Sequence, residues 1–281
     1  MPSVLVTGAS RGIGRAIVEH LASSGWDVIA GVRSEQDAAA ITAVAPQRVS
    51  AVILDVTDAD DIAKLSASLP DRLDALVNNA GIVVAGPVEA VTADEWRKQL
   101  EINVIGQFAV TRAVLPLLRR ARGRIVFISS VNGRISMPML GPYCASKFAL
   151  EAGADALRLE LRAWGIPVVL VEPAQTDTDM WRTADDMVLQ TEAAMSPEHR
   201  MLYARHIVGM KKFVPTARKM AVPTDKVVGV VDEALTARRP RARYVVGLLP
   251  KLQTAIVTNL PAPLRDRMLA LAARVPGKPR G

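Results

Sequence analysis

Residues 7 to 14 read "TGASRGIG", where the β-branched run "SVLVT" (3–7) gives way to a helical stretch from Gly12 to Ser24. Glycines at 8, 12 and 14 allow a tight turn, close backbone approach and close packing of helix on strand. The helix that opens there presents unpaired N–H groups and the positive end of its dipole, which suits a pyrophosphate. A glycine cluster alone signals only a turn. Placed between a first strand and a first helix, it reads as a dinucleotide loop.

The rest of the chain continues that alternation. Apolar runs recur at "DVIAGV" (27–32), "RVSAVILD" (48–55), "LDALVNN" (73–79), "RIVFISS" (124–130), "IPVVLVEP" (166–173) and "ARYVVG" (242–247). Helical stretches span 92–119 and 143–163, and a third runs from an N-cap at Thr224 to Ala237. Several strand runs are apolar at consecutive positions, as parallel strands buried on both faces require. The pattern predicts an α/β fold of a single domain: a doubly wound parallel sheet (Rossmann-type) of about seven strands, helices on both faces. Residues 1–250 are expected to form the dinucleotide-binding catalytic unit and 251–281 a basic extension.

Composition narrows the partners. Of a net charge of +7, the stretch from Arg238 to Gly281 contributes +9, with ten Lys or Arg against Asp266, leaving about −2 for the first 237 residues. That stretch holds one aromatic, Tyr244, so it lacks the interleaved aromatics of many nucleic-acid faces, and no nucleic-acid partner is expected. Cys144 is the sole cysteine, which rules out an intrachain disulfide and suits a reducing cytoplasm. His20, His199 and His206 have no metal-ligand spacing with it, so no metal site is expected. No uninterrupted apolar run reaches the ~18 residues of a membrane span. "MPSVLVTG" carries no basic-then-apolar secretory pattern.

With three residues between its first two glycines, the loop resembles that of the short-chain dehydrogenase/reductases. The same order continues with "NNAG" (78–81), Asn103, Ser130 and Tyr143-x-x-x-Lys147. The likeness covers about residues 3 to 178 and weakens through the seventh strand. It implies an NAD(H)- or NADP(H)-dependent oxidoreductase, a homodimer or homotetramer. "YCASKFALE" looks most like the steroid- and retinoid-oxidising branch.

Tyr143 and Lys147 are one helical turn apart, so both can face the cleft at the strand ends. Lowering a phenol pKa from 10 to about 7 requires about 4 kcal/mol of preferential phenolate stabilisation. A close lysine and the positive nicotinamide ring are plausible sources. The resemblance makes Tyr143 the catalytic acid/base and gives Lys147 the nicotinamide ribose hydroxyls as well. Ser130, thirteen residues before Tyr143, is matched to the serine that polarises the substrate oxygen, with Ser129 its rival. Asn103 is matched to the residue that anchors a proton-carrying water.

Cofactor contacts are expected from Gly8, Ser10, Arg11, Gly12, Ile13 and Gly14, from Asn79, Ala80 and Gly81, and from Tyr143 and Lys147. Enzymes of this fold that use NAD place an acid at the end of the second strand. This chain has Val32 and Arg33 there, with Arg11 in the glycine loop, two guanidiniums suited to a 2′-phosphate. NADP(H) is the expected cofactor. Asp55 and Val56 match the family's adenine contacts. After the sixth strand, "EPAQTDT" keeps Pro173, Thr176 and Thr178 for the carboxamide and phosphates but has Ala174 where the family has glycine.

The family's substrate lid maps to 179–222, which holds Met180, Trp181, Met187, Met195, Met201, Tyr203, Met210 and Phe213. This set suits either an adaptable apolar binding surface or ordinary core. The expected substrate is a small but bulky apolar alcohol or carbonyl. Two other readings stay open: a non-catalytic dinucleotide-binding regulator, and a membrane-surface protein acting through its basic tail. Residues 262–275 can form a helix with Leu264, Met268, Leu271 and Val275 along one stripe. That stripe is expected to pack on the body of the protein or at a subunit contact rather than on a membrane.

Overall fold

The computed structural model describes residues 1–178, 183–275 and 277. Among these, seven strands pair in parallel in the order β3-β2-β1-β4-β5-β6-β7. They are β1 (Ser3–Thr7), β2 (Asp27–Val32), β3 (Val49–Ile53), β4 (Ala75–Asn78), β5 (Arg124–Ile128), β6 (Val168–Glu172) and β7 (Arg243–Val245). Each lies within a run marked by the sequence, most of them trimmed at the ends. Every residue of β1, β4 and β6 is buried, as double-sided cover demands.

Helices α1 (Gly12–Ser23), α2 (Glu35–Thr42), α3 (Ala59–Leu65), α4 (Ala93–Leu100), α5 (Gly106–Ala121) and α6 (Gly141–Glu160) alternate with the first six strands. Then come α7 (Ala184–Ala194), α8 (Pro197–Lys219), α9 (Thr224–Thr236), α10 (Leu248–Asn259) and α11 (Ala262–Ala272). Alternate residues of β1 serve two cores. Val4 and Val6 meet Ile17 and Leu21 of α1 and Val227 and Val231 of α9. Leu5 packs on the other side, with Val110, Val114 and Leu118 of α5 and Leu150 of α6. Because β2 and β4 flank β1 on opposite sides, the winding reverses there. The ligand crevice of such a sheet opens at this reversal, beyond the carboxyl ends of the strands.

Several expectations need correction. The helix expected over 92–119 is α4 and α5 joined by a π-helical turn, Glu101–Ile105, and a Thr92–Glu95 capping box starts it. This 29-residue stretch, Ala93–Ala121, has the length and hydropathy of a bilayer span, which a search for uninterrupted apolar runs passes over. Here one side of it packs on the sheet. Thr224 is not an N-cap; Pro223 holds that position, and the Thr224 hydroxyl donates to the Asp177 carbonyl. Residue 250 lies in the first turn of α10. The 262–275 stripe does not pack on the body, since Leu264, Met268 and Leu271 are all exposed, Leu271 by 72%.

Candidate active site

The glycine loop takes the form its composition requires. Gly8 and Gly12 have φ of +63° and +57°. A Cβ on Gly14 would sit 2.3 Å from the Gly8 carbonyl oxygen and 2.5 Å from Asn79 Nδ2, so helix and loop meet there without room for a side chain. Arg11 caps α1 without a side-chain bond and the first turn carries no acid, which leaves its N–H groups to an anion. Ser10 and Ile13 are partly exposed beside it. Thr178 closes the other wall, 3.9 Å from where a Gly12 Cβ would lie. The residues present fit a dinucleotide pyrophosphate.

Asn79 holds this loop in place, donating from Nδ2 to the carbonyls of Thr7 (3.0 Å) and Gly8 (3.1 Å). The Thr7 hydroxyl accepts from the amides of Asn79 and Ala80, both at 3.0 Å. Gln107 fixes the Ala80 carbonyl at 2.7 Å. Thr7 and Gln107 have no sequence signal of their own; they matter because two distant loops meet at them.

At the adenosine end, Val32 is buried and Arg33 exposed. Asp55 follows β3; burial raises its carboxyl pKa, but the two Thr57 hydrogen bonds and the nearby Arg33 charge outweigh that and hold it below the ordinary range. Both Thr57 bonds go to Oδ1. Val56 is buried under Gly106, whose absent Cβ would lie 2.5 Å from the Val56 carbonyl.

Asn103 sits at the centre of the π turn, fully buried. Its amide clamps Ile82, accepting from the Ile82 amide at 2.8 Å and donating to its carbonyl at 3.0 Å. It also donates to Ser146 Oγ (3.2 Å), which in turn donates to the Tyr143 carbonyl at 2.7 Å. Gly81 lies against it; a Cβ there would be 3.4 Å from Asn103 Oδ1. Thus Asn103 connects the strand-four loop to the turn that carries Tyr143. The π turn breaks the regular backbone ladder at this residue, a local change of register that side-chain pattern does not encode.

Ser130 and Tyr143 line the same cavity. Ser130 caps the 3₁₀ turn Val131–Gly133, accepting from the Asn132 amide, and its hydroxyl is near enough to the Tyr143 phenol to favour the ionised form. Ser129 lies toward Glu151 and does not line the cavity. Lys147 is 5% exposed, with its Nζ 5.9 Å from the Tyr143 ring centre and donating to the Ile128 carbonyl at 2.8 Å.

The acidic phenol is not what this geometry gives without a cofactor. Burial pushes Tyr143 up to about 12, with Ser130 pulling it down and Cys144 adding to the rise. Burial also brings Lys147 down to about 8, against the Glu151 charge, which raises it. Lys147 donates to the Ile128 carbonyl and is not among the groups that lower the phenol.

Beyond this pair the cavity is mostly apolar. Its walls include Val83, Met139, Leu140, Met187, Ile207, Met210, Phe213 and Val214. Among the lid residues singled out, Met187, Met210 and Phe213 line it, whereas Met195 is buried elsewhere and Met201 is exposed. The Tyr203 ring meets His206 at a tilt, their centres 5.1 Å apart. Met180 and Trp181 lie outside the described residues. Met139 has φ of +66°, a strained conformation for a methionine that aims the chain into α6. Ala174 also lines the cavity, with no positive φ, so this position does not require glycine. Pro173 accepts from the Val131 amide at 3.0 Å, tying the two loops that flank the site. The Thr176 hydroxyl donates to Ala174 at 3.1 Å.

Comparison with known proteins agrees with this geometry. Residues 2–188 match the family model described as short chain dehydrogenase. An NADPH-dependent 3-dehydrocapnine reductase of Ornithobacterium rhinotracheale is 34% identical over 279 residues, 96% of this chain and 95% of that protein. Mouse retinol dehydrogenase 5 is 34% identical, covering 95% of this chain and 87% of its own length. A solved short chain dehydrogenase of Burkholderia cenocepacia, in complex with NADP, superposes with a TM-score of 0.75 at 25% identity, covering 95% of this chain and 97% of that one. The chain belongs to the short-chain dehydrogenase/reductase family of oxidoreductases, in the branch that resembles the retinol dehydrogenases.

Proposed function

We propose that this protein interconverts a bulky apolar secondary alcohol and its ketone, using NADP(H), with Tyr143 as the acid/base. The observation that carries the reading is that Ser130 and Tyr143 both line one mostly apolar cavity. NADP(H) supplies or accepts the hydride when bound. Its preference over NAD(H) rests on Arg11 and Arg33, exposed where an NAD enzyme has an acid, and on the cofactors named for two relatives.

Each side chain then has a task. Gly8, Ser10, Gly12, Ile13 and Gly14 offer backbone to the pyrophosphate, and Arg11 and Arg33 hold the 2′-phosphate. Asp55 and Val56 take the adenine. Asn79, Ala80 and Gly81 border the adenosine and nicotinamide riboses, while Pro173, Thr176 and Thr178 serve the nicotinamide end. Lys147 holds ribose hydroxyls and keeps positive charge near the phenol. In the reductive direction the substrate carbonyl oxygen accepts from Ser130 Oγ and takes the proton of Tyr143 Oη as its negative charge develops. Asn103 stands where the opened helix ladder can hold a water that returns that proton.

We place the protein in a reducing cytoplasm, consistent with the lone buried Cys144. The catalytic unit then ends at Gly247, so that α10 stays whole and opens the basic extension. The exposed leucines of α10 and α11 are best covered by a second copy, in a homodimer or homotetramer, rather than by a membrane.

A panel of ketones graded by apolar bulk, assayed with NADPH, tests the reading. Turnover should rise with bulk until the cavity fills. Tight NADPH binding with no turnover of any ketone or alcohol would instead favour a regulator.

A further inference from the structure

Beneath the Ser130 loop lies a cluster of charges with no part in the reaction described. Glu172, at the end of β6, is 0% exposed, and neither of its carboxylate oxygens accepts a hydrogen bond. Glu151, on α6, is 5% exposed and stands one turn beyond Lys147 on the same face. Gly133 makes room for it, since a Cβ there would lie 2.8 Å from Glu151 Cγ. Arg243 of β7 reaches all the nearby acids. Its Nε is 3.0 Å from Glu151 Oε2 and 3.3 Å from Glu172 Oε1, and a terminal nitrogen is 2.5 Å from Asp155 Oδ2. Arg134 stands 3.7 Å from Glu172 Oε2, too far for a hydrogen bond.

One Nε–H cannot satisfy two buried carboxylates. An unpaired buried charge is costly enough that such a group takes a proton instead. Lys147 raises the same problem with opposite sign: it is buried beside a neutral phenol and a backbone carbonyl, and Glu151 is the acid next along its own face.

We propose that Glu151 is a positioning residue that keeps Lys147 cationic, while Glu172, in the same buried charge cluster, stores a proton. The inference rests on the assignment of Lys147 to the bound cofactor. Burial, then the Glu151 charge, push Glu172 up to about 7, with Arg134 and Arg243 opposing. Glu151 is likewise raised, by burial first, against Ser129 and Arg243. As pH rises past neutrality Glu172 releases its stored proton, and the Lys147 ammonium, which burial disfavours, persists only through the Glu151 charge.

NADPH affinity measured by fluorescence titration across pH needs no substrate. At pH 6, Glu151→Gln should bind NADPH within ~2-fold of wild type; at pH 8 it should bind at least ~5-fold more weakly, as expected when an opposite charge beside Lys147 is removed. Glu151→Asp, which keeps the charge, should follow wild type. Superimposable curves, or equal weakening at every pH, overturn the proposal; a wild type that does not bind NADPH overturns the functional reading instead. If Glu151→Gln does not fold, thermal denaturation of Glu172→Gln decides. With a folded pKa of about 7 against an ordinary 4.5, Glu172 contributes stability that is full below 4.5 and lost as pH rises through 7. That decline should flatten in Glu172→Gln, and its persistence would refute the stored proton.

Discussion

The crevice above β1 to β4 and the helices that follow β6 are both needed for a substrate to meet a hydride donor, yet they are built on different principles. On the cofactor side nearly every position is set by backbone. Gly8, Gly12 and Gly14 shape a loop, Asn79 and Thr7 pin it, and Gly106 lets α5 approach Val56. The substrate side is lined mostly by apolar side chains of α7 and α8, among them Met187, Met210 and Phe213, and ion pairs from Lys211 to Glu192 and from Arg218 to Asp185 join the two helices. A ligand with a fixed shape selects fixed geometry. An apolar cavity selects only volume and hydrophobicity, which many sequences supply.

The contrast predicts where substitutions do most damage. Gly14→Ala forces a Cβ to within 2.3 Å of a backbone oxygen, so NADPH affinity should fall at least ~100-fold, or the loop should lose about 3 kcal/mol of stability. Gly12→Ala makes only an ordinary contact with Thr178 and meets chiefly the strain of its positive φ, costing about 1–2 kcal/mol. Calorimetric titration of the two variants compares them directly; equal losses would mean that packing of the loop on α1 is unimportant. Next in size, Val32→Asp with Arg33→Ser should move preference toward NAD(H) by ~10- to 100-fold, because it removes a charge-assisted phosphate contact and adds a ribose acceptor. Dissociation constants for both cofactors decide this, and an unchanged ratio would reduce Arg33 to a surface charge.

On the substrate side, Phe213→Ala should raise KM for a bulky ketone about 10-fold, the scale of one or two buried methylenes lost from a hydrophobic contact, with NADPH affinity unaltered. A comparable change in NADPH affinity would break the separation between the two regions. The smallest effect belongs to the tail. Leu252→Lys with Ile256→Lys, on the exposed stripe of α10, should leave turnover within ~2-fold, as usual for surface changes, and shift the sedimenting mass toward the monomer. If the wild type is monomeric and sediments with anionic vesicles while the double variant does not, the membrane reading replaces the subunit contact.

What the sequence showed divides along the same line. The seven strands, the glycine loop, and the Ser130, Tyr143 and Lys147 set were legible because each depends on residue type at fixed spacing. The π turn at Asn103 was not, since one extra residue in a helical ladder changes hydrogen bonding without changing the apolar pattern. Nor was the strained Met139, or the meeting of Glu151, Glu172 and Arg243, which arrive from α6, β6 and β7. Thr224 misled because a hydroxyl before an apolar run reads as a cap, yet here it bonds the Asp177 carbonyl from inside the helix. The exposed stripe of α11 shows that amphipathic spacing identifies a face without saying what covers it.

The central claim is that Tyr143 moves the proton. Tyr143→Phe keeps the ring in the first turn of α6 and deletes only the hydroxyl. Steady-state turnover of a ketone from the graded panel, measured beside NADPH affinity, tests this directly. The account predicts at least a ~10²-fold loss of kcat with NADPH binding unchanged. Near-normal kcat in Tyr143→Phe would contradict it.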